Sequence, residues 1–292
     1  MTDSSGFFMD SAAPFQHFPA PELTDDDFSF ISHLVRTRFG INLTEQKRSL
    51  VIGRLQKLLR EKGHPDFHAY RLHLEAGAGD AELDDLVNRI STNHTFFFRE
   101  PEHFAFMRDT ALPEMAARHQ RDKDLRVWCA AASSGEEPYS IMITMQEYFG
   151  MGYREWNGGL LATDISAKAL AAARAGIYPE ERLGSLSEGL RRKYFNRNAT
   201  GAWQVSDNLR KEITFRRFNL MNESFPFRKP FDMILCRNVM IYFDQPTRDR
   251  LVERFARFIL PGGYLLIGHS ESIGRSHPEF EYVKPAVYRR AQ

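Results

Sequence analysis

Cysteine is scarce in this sequence, which contains only Cys129 and Cys236 among its 292 residues. Two cysteines are too few for a disulfide framework or for a metal site built from thiolates. A reducing compartment is therefore the default, and we expect a cytoplasmic protein. Both cysteines fall at the ends of predicted strands, where we expect them to be buried as small hydrophobic residues.

The sequence also lacks a long apolar run and an excess of charge of either sign. No uninterrupted apolar stretch approaches the roughly 20 residues of a membrane-spanning helix. The first residues include Asp3 and Asp10 and no basic segment, unlike a secretory signal. The 39 basic and 38 acidic residues give a formal net charge of +1. We therefore expect neither direct membrane insertion nor a nucleic-acid partner.

The patterns that the sequence does contain divide the chain into three parts. Residues 1–21 contain three prolines and no sustained period, which predicts a flexible tail. Residues 22–91 show helical apolar spacing that begins with a capping signal at Thr24 and Asp27, which predicts an N-terminal helical domain. The rest of the chain, 92–292, alternates strand and helix patterns. This alternation predicts an α/β domain with a doubly wound, mostly parallel sheet.

A stretch without this alternation lies within the α/β domain. Short strand-like pieces at 203–205 and 212–218 predict a small antiparallel β insertion at about 195–218. Insertions of this kind commonly carry partner recognition.

The second predicted helix has an apolar face and a basic stripe on roughly opposite sides. The apolar positions are Val51, Leu55, Leu58 and Leu59, and the basic ones are Arg54, Lys57 and Arg60. Such a stripe is either a solvated surface or a docking surface for an acidic helical partner.

The stretch 125–140 predicts a strand, a tight turn and a helix. Val127 and Trp128 favour a buried strand, six small residues end at Gly135, and Pro138 fits the first turn of a helix. Small side chains at such a turn let a ligand approach backbone N–H groups closely.

Two acids, Glu136 and Glu137, directly follow the turn glycine. Carboxylates here disfavour a diphosphate, so NAD suits the turn poorly, and the G-x-G-x-x-G pattern is missing. S-adenosylmethionine instead carries a sulfonium, an ammonium and a ribose. The next predicted strand ends at Asp164, where an acid can reach ribose hydroxyls; a cap for the following helix is the structural alternative.

The stretch 93–99 places Asn93, Thr95 and Arg99 around three consecutive phenylalanines. The aromatic rings suit packing between domains, but the polar side chains need partners when they are desolvated. We therefore expect this stretch to line a site.

With these residues assembled, the chain closely resembles the chemotaxis receptor methyltransferases, the CheR family of S-adenosylmethionine-dependent protein-glutamate O-methyltransferases. Five stretches, in the order of the family, carry the resemblance, and the helical domain also suits it. They are Asn93-His94-Thr95-Phe96-Phe97-Phe98-Arg99, Ala130-Ala131-Ala132-Ser133-Ser134-Gly135-Glu136-Glu137-Pro138-Tyr139-Ser140, Ala162-Thr163-Asp164-Ile165-Ser166, Cys236-Arg237-Asn238-Val239-Met240-Ile241-Tyr242-Phe243 and Gly268-His269-Ser270-Glu271-Ser272.

The resemblance implies a fold of the S-adenosylmethionine-dependent methyltransferase type and a set of site residues. Arg99 and Tyr242 would act in catalysis, and no metal would be needed. S-adenosylhomocysteine would be the product.

The order of residues leaves both Glu136 and Glu137 open as the contact of the cofactor's ammonium group, and we choose Glu136 because it directly follows the glycine. The cofactor residues would be Asn93, Thr95, Arg99, Glu136, Asp164, Asn219, Leu220, Arg237 and Asn238.

The resemblance also implies a partner, the cytoplasmic helical bundle of a chemoreceptor, which the stripe of Arg54, Lys57 and Arg60 would dock. Some family members bind a C-terminal receptor tether through a longer, glycine-rich turn. The corresponding loop here, 196–202, is short and has one glycine. We therefore expect recognition without the tether, by a monomer. The alternatives are a methyltransferase that acts on another protein or a small molecule, and a non-catalytic module that senses S-adenosylmethionine.

Overall fold

The computed structural model describes residues 22–77, 79–91 and 94–292. The predicted tail at 1–21 and the predicted cofactor residue Asn93 lie outside these ranges.

Four α-helices and one short 3-10 helix (Glu45–Lys47) make up the N-terminal domain over the described residues. Thr24 caps the first of them, because its hydroxyl oxygen accepts the N–H of Asp27 at 3.2 Å, and that helix ends at Gly40, which has a φ of +74°. The four predicted apolar positions of the second helix are buried, as predicted. The helices are α1 (Asp25–Phe39), α2 (Arg48–Lys62), α3 (Phe67–Glu75) and α4 (Asp80–Ile90).

Helices and strands then alternate through the second domain. Within the described residues, no helix combines the length and the apolar character that crossing a bilayer requires. The helices are α5 (Pro101–Phe106), α6 (Leu112–Arg118), α7 (Glu136–Phe149), α8 (Ala167–Ala175), α9 (Glu188–Tyr194), α10 (Asp207–Arg210) and α11 (Gln245–Phe258). The strands are β1 (Val127–Cys129), β2 (Leu160–Asp164), β3 (Ile177–Tyr178), β4 (Phe195–Arg197), β5 (Trp203–Val205), β6 (Ile213–Arg217), β7 (Phe231–Cys236), β8 (Ile259–Ile267), β9 (Ser276–His277), β10 (Phe280–Lys284) and β11 (Val287–Arg290).

The main sheet has the order β6-β2-β1-β7-β8-β11-β10-β9 over the described residues. Its first five strands are parallel, and β8, β11, β10 and β9 pair antiparallel. The chain runs outward from β1 through β2 to β6 and then returns to the other side of β1 as β7. The strand order therefore reverses at β1, and ligands of open α/β sheets bind at the carboxyl ends of the strands at such a point. The predicted doubly wound fold is confirmed.

A second, small antiparallel sheet has the order β3-β5-β4. The strand β6, which the sequence placed in this insertion, instead pairs parallel with β2, with Leu160 opposite Ile213. The small sheet therefore starts before the predicted extent of about 195–218, at β3, and its last strand is β5. In β6 buried Ile213 and Phe215 alternate with exposed residues, because this strand is the edge of the sheet. An edge strand of a parallel sheet therefore shows the same alternation of buried and exposed residues as an antiparallel strand.

Two hydrophobic clusters pack on opposite faces of the main sheet. Alternate residues of β7 and β8 belong to different clusters, as the two-residue period of a strand requires. On one face lies Trp128, which is fully buried and contacts the ring of Phe227 at a centroid distance of 4.7 Å. Both cysteines are buried free thiols, as predicted.

The buried indole of Trp128 depends on one hydrogen bond, since its Nε1–H donates to the hydroxyl of Thr163 at 2.9 Å. Thr163→Val keeps the shape of the side chain but leaves this donor without its partner. We expect the free energy of unfolding to fall by about 1–3 kcal/mol, measured by urea denaturation with Trp fluorescence. The control is Thr214→Val, because Thr214 is exposed on the neighbouring strand β6. Equal stability of the two variants would contradict the importance of this bond.

Candidate active site

A cleft opens at the carboxyl ends of the central strands. Residues that follow β1, β2, β6 and β7 line it, together with residues of the helical domain. The cleft therefore lies at the reversal of strand order, where the fold favours a ligand.

The turn after β1 forms one wall of this cleft. Ala130 and Ala131 line it, and their small side chains leave the backbone accessible. Gly135 ends the turn with a φ of +102°, and a Cβ atom at this position would lie 2.7 Å from the hydroxyl of Tyr178 and 3.0 Å from the Cα of Ala173. The glycine is thus needed both for its backbone conformation and for the close approach of the turn to α8.

Asp164 ends β2 and lines the cleft. Its carboxylate accepts the N–H of Ser133 at 2.8 Å and the N–H of Ser166 at 2.9 Å. Burial raises the pKa of Asp164, and these N–H donors oppose the shift. Ser166, whose hydroxyl accepts the N–H of Ala169, is the N-cap of α8. Asp164 therefore fixes the turn after β1 while it faces the cleft.

The two acids that begin α7 point in different directions. Glu137 lines the cleft, and Glu136 is not among the lining residues. Glu136 is fully buried, accepts the hydroxyl of Ser134 at 2.7 Å and pairs with Arg182 at 3.0 Å. Burial raises the pKa of both acids; Arg237 opposes this shift at Glu137, and Ser134 opposes it at Glu136.

Arg237 follows β7, and its side chain is fully buried beside the cleft. Its guanidinium donates to the carboxylate of Glu137 at 2.8 Å, to that of Glu100 at 3.1 Å and to the carbonyl of Arg99. Burial would raise the pKa of Glu100, but Arg237 and Asn238 outweigh it and lower that pKa. The guanidinium of Arg237 thus holds in place the carboxylates of Glu137 and Glu100 and the backbone of the 94–99 loop.

A buried carboxylate, that of Glu271, shapes the loop that carries Asn238 and Tyr242. It accepts the N–H of Asn238 at 3.0 Å, of Ile241 at 3.1 Å and of Gly268 at 2.5 Å. Asn238 has a φ of +58°, which is unusual outside glycine. Burial raises the pKa of Glu271, and the three N–H groups oppose the shift. These bonds hold the loop in this backbone conformation.

The helical domain supplies part of the cleft wall through Phe39 and Ile41. It is attached beside the cleft by polar contacts. The side-chain amide of Asn219 donates to the carbonyl of Arg38 at 2.7 Å, and the carbonyl of Tyr242 accepts the N–H of Asn42 at 2.7 Å. The domain is therefore part of the site.

Thr95 and Arg99 lie in the 94–99 loop, and both line the cleft. The carbonyl of Thr95 accepts from Arg182 at 2.9 Å, and Arg99 donates to the carbonyl of His94 at 2.9 Å. Tyr242 is half-buried and lines the cleft with the Lys47 ammonium 5.9 Å from its ring centroid. A guanidinium and a phenol therefore border the same space as two carboxylates.

The structure thus brings together most of the predicted site residues. Glu136 lies behind the cleft wall, and Asn93 lies outside the described residues. The stripe on α2 is elsewhere, since none of its three residues lines the cleft. The predicted residues that line the cleft are Thr95, Arg99, Asp164, Asn219, Leu220, Arg237, Asn238 and Tyr242.

Sequence reasoning missed Glu100 and Glu271, which position the lining residues without lining the cleft. Glu271 belongs to one of the stretches that carry the family resemblance, and Glu100 directly follows another. This position in the sequence was the signal that could have identified them. It also missed the helical domain's Phe39 and Ile41, for which no local pattern exists because the contact joins segments distant in the chain.

The arrangement suits a ligand with a positive charge, hydroxyl groups and an aromatic part. Glu137 and Asp164 can accept from ammonium and hydroxyl groups, and the apolar wall can bury a ring. Arg99 can bind a carboxylate through its planar guanidinium.

Two family models match the chain, and together they cover nearly all of its described part. The model described as "CheR methyltransferase, all-alpha domain" matches residues 26–91. The model described as "CheR methyltransferase, SAM binding domain" matches residues 93–288.

Curated relatives are similar over almost their whole length. A chemotaxis protein methyltransferase of Borreliella burgdorferi is 43% identical over 270 residues, which are 92% of this chain and 95% of the relative. One of Salmonella typhimurium is 39% identical over 269 residues, 91% of this chain and 90% of the relative. One of Escherichia coli is 38% identical over 91% of both chains. Family models and relatives agree with the resemblance, and this chain belongs to the CheR methyltransferase family.

Proposed function

We propose that this protein transfers a methyl group from S-adenosylmethionine to glutamate side chains of chemoreceptors, giving glutamate methyl esters and S-adenosylhomocysteine. One observation carries the proposal: in a chain of this family, two carboxylates, Glu137 and Asp164, share a cleft with Arg99 and Tyr242. The carboxylates suit a cationic methyl donor, and the arginine suits an anionic acceptor.

The residues present fit S-adenosylmethionine. Glu137, which lines the cleft, would accept from the ammonium, and we therefore assign this role to Glu137 instead of Glu136. Asp164 would accept from the ribose hydroxyls, and Leu220 with Asn219 would pack on the adenine. Thr95 would contact the methionine end. The cofactor would supply an electrophilic methyl group on its sulfonium.

The chain's own residues need to align the attacking carboxylate with the methyl group, and they need not supply a general base. A glutamate with a pKa near 4.3 is already ionised at neutral pH, so no proton has to be removed. Arg99 would bind and orient the attacking carboxylate, and Tyr242 would lie beside the transferred methyl. Because a cation and an anion give neutral products, a cleft that excludes water suits the reaction. Orientation of this kind can lower the barrier by several kcal/mol.

The helix α2 would dock the receptor. Lys57 and Arg60 are exposed, and Lys57 lies 3.9 Å from Glu61 on the same helix. Arg54 is half-buried, and its guanidinium donates to the carbonyl of Ile90, so it also has a structural role. Receptor bundles with acids around their target residues would complement this surface.

We further propose a monomeric, cytoplasmic enzyme that recognises its receptor without a C-terminal tether. The hairpin between β4 and β5 supports receptor recognition without a tether. The Asn198 side-chain oxygen accepts the N–H groups of Thr200 and Ala202, each at 3.0 Å, and thereby closes a tight turn.

The activity is tested with labelled S-adenosylmethionine and purified receptor signalling domains. We expect label on receptor glutamates that mild alkali releases, as a methyl ester requires. In Tyr242→Phe, which keeps the ring but removes the hydroxyl, we expect kcat to fall by roughly tenfold while cofactor affinity is unchanged.

Receptor domains whose target glutamates are replaced by alanine serve as the control and should take up no label. Cofactor binding without any transfer would contradict the proposed activity and favour a sensing module. Label that resists alkali would point to another acceptor.

The assignment of the ammonium contact is tested by two matched variants of neighbouring residues. Calorimetry should show that Glu137→Gln weakens S-adenosylmethionine and S-adenosylhomocysteine binding by about tenfold or more, which corresponds to about 1.4 kcal/mol. Glu136→Gln should change both affinities much less, because its side chain points away from the cleft.

Glu147→Gln, on the same helix but outside the cleft, is the control for changes in helix stability. A larger loss of affinity in Glu136→Gln than in Glu137→Gln would return the ammonium contact to Glu136.

Docking is tested by reversing the two exposed charges, Lys57→Glu with Arg60→Glu. We expect kcat/KM for receptor methylation to fall by about tenfold or more at low ionic strength, with a smaller difference at high salt. Cofactor affinity should be unchanged. The control is the pair Arg154→Glu and Lys211→Glu, which reverses two exposed charges outside α2. Equal receptor methylation by the two double variants would remove the docking surface from α2.

A further inference from the structure

Two imidazoles and one carboxylate converge on the helical domain outside the cleft. His64 follows α2, His73 lies in the last turn of α3 and Glu82 lies in the first turn of α4. The Nε2 atom of His73 lies 2.5 Å from a carboxylate oxygen of Glu82, and the rings of His64 and His73 have centroids 5.0 Å apart. One ligating atom from each of the three residues lies within 4.8 Å of the others.

We propose that His64, His73 and Glu82 form a binding site for a divalent transition-metal ion of the Zn²⁺ class. Imidazole nitrogen and carboxylate oxygen are ligands that Zn²⁺ accepts, and three protein ligands leave a position for water. Bond lengths of about 2.0–2.2 Å would place the ligating atoms roughly 3.3–3.6 Å apart. His73 is exposed and the other two are half-buried, so small side-chain movements would reach this geometry.

The charges around this group favour a cation. The first turn of α4 carries Asp80 in addition to Glu82. The nearby ammonium of Lys62 is paired with Asp85 at 2.6 Å, which reduces its repulsion of a metal ion.

A second group with the same ligand types, Glu100, His103 and His269, is less suitable. Its carboxylate already accepts from the buried guanidinium of Arg237 at 3.1 Å, and a metal ion there would lie beside this positive charge. His103 is fully buried in this group, and burial lowers its pKa to about 3. A neutral imidazole beside Arg237 avoids a second buried cation.

A metal ion at the first group would join three segments that are separate in the chain. The unfolded chain does not hold these ligands together, so the ion would stabilise the folded helical domain. This domain carries the basic stripe on α2, and its α4 contributes Val87 to the cleft. The inference does not depend on the proposed methyl transfer, because the site is tested by metal binding alone.

The test uses the untagged full-length protein in metal-free buffer at pH 7.5, titrated with ZnCl₂ in a calorimeter. We expect one Zn²⁺ per chain at this site and a Tm raised by about 4 °C at roughly 100-fold excess over Kd. Glu82→Gln and His73→Asn should each weaken the binding at least roughly tenfold. Circular dichroism checks that both variants stay folded, and Glu82→Gln alone decides the test if His73→Asn unfolds.

The matched control is His68→Asn, on the same helix as His73 but outside the group, with a ring nitrogen 3.6 Å from Asp27. It should bind Zn²⁺ as the unchanged protein does. Absence of binding, or equal affinity in Glu82→Gln and the unchanged protein, would overturn the proposal. Binding that only His269→Asn removes would also overturn it, because the ion would then lie at the second group.

Discussion

The buried guanidinium of Arg237 is the contact on which the cleft depends. It holds Glu137 on one side and Glu100 on the other, and it fixes the backbone carbonyl of Arg99. Buried ion pairs add little net stability, but removal of one partner leaves an uncompensated charge. We therefore interpret Arg237 chiefly as a positioning residue, which lets acids lie beside a ligand cleft without repelling one another.

The sequence predicted the parts of this molecule that local patterns determine. The alternation of strands and helices predicted the parallel sheet, and the capping signal at Thr24 predicted the start of α1. The extent of the β insertion was not predictable, because the alternating burial of β6 is the same at the edge of either kind of sheet. Only its partner strand, β2, distinguishes the two cases.

Site residues at the ends of strands could be predicted from the sequence. For residues within a helix, the sequence did not show which side chain faces the cleft. Asp164 ends β2 and Arg237 follows β7, so the fold brings both to the cleft. Glu136 and Glu137 are consecutive in a helix and therefore point about 100° apart. Which of them faces a ligand depends on how α7 packs, and Arg182 holds Glu136 away from the cleft.

The attachment of the helical domain would connect the proposed receptor docking to the chemistry of the cleft. Arg36 pairs with Asp244 at 2.6 Å, directly after the loop that Glu271 shapes and that carries Tyr242. The same domain presents the basic stripe on α2. A receptor helix held by this stripe would therefore contact the same domain that lines the cleft through Phe39 and Ile41. The two domains would then need a fixed relation for a target glutamate to reach Tyr242. The polar contacts at Asn219 and Asp244 supply that relation without depending on the ligand.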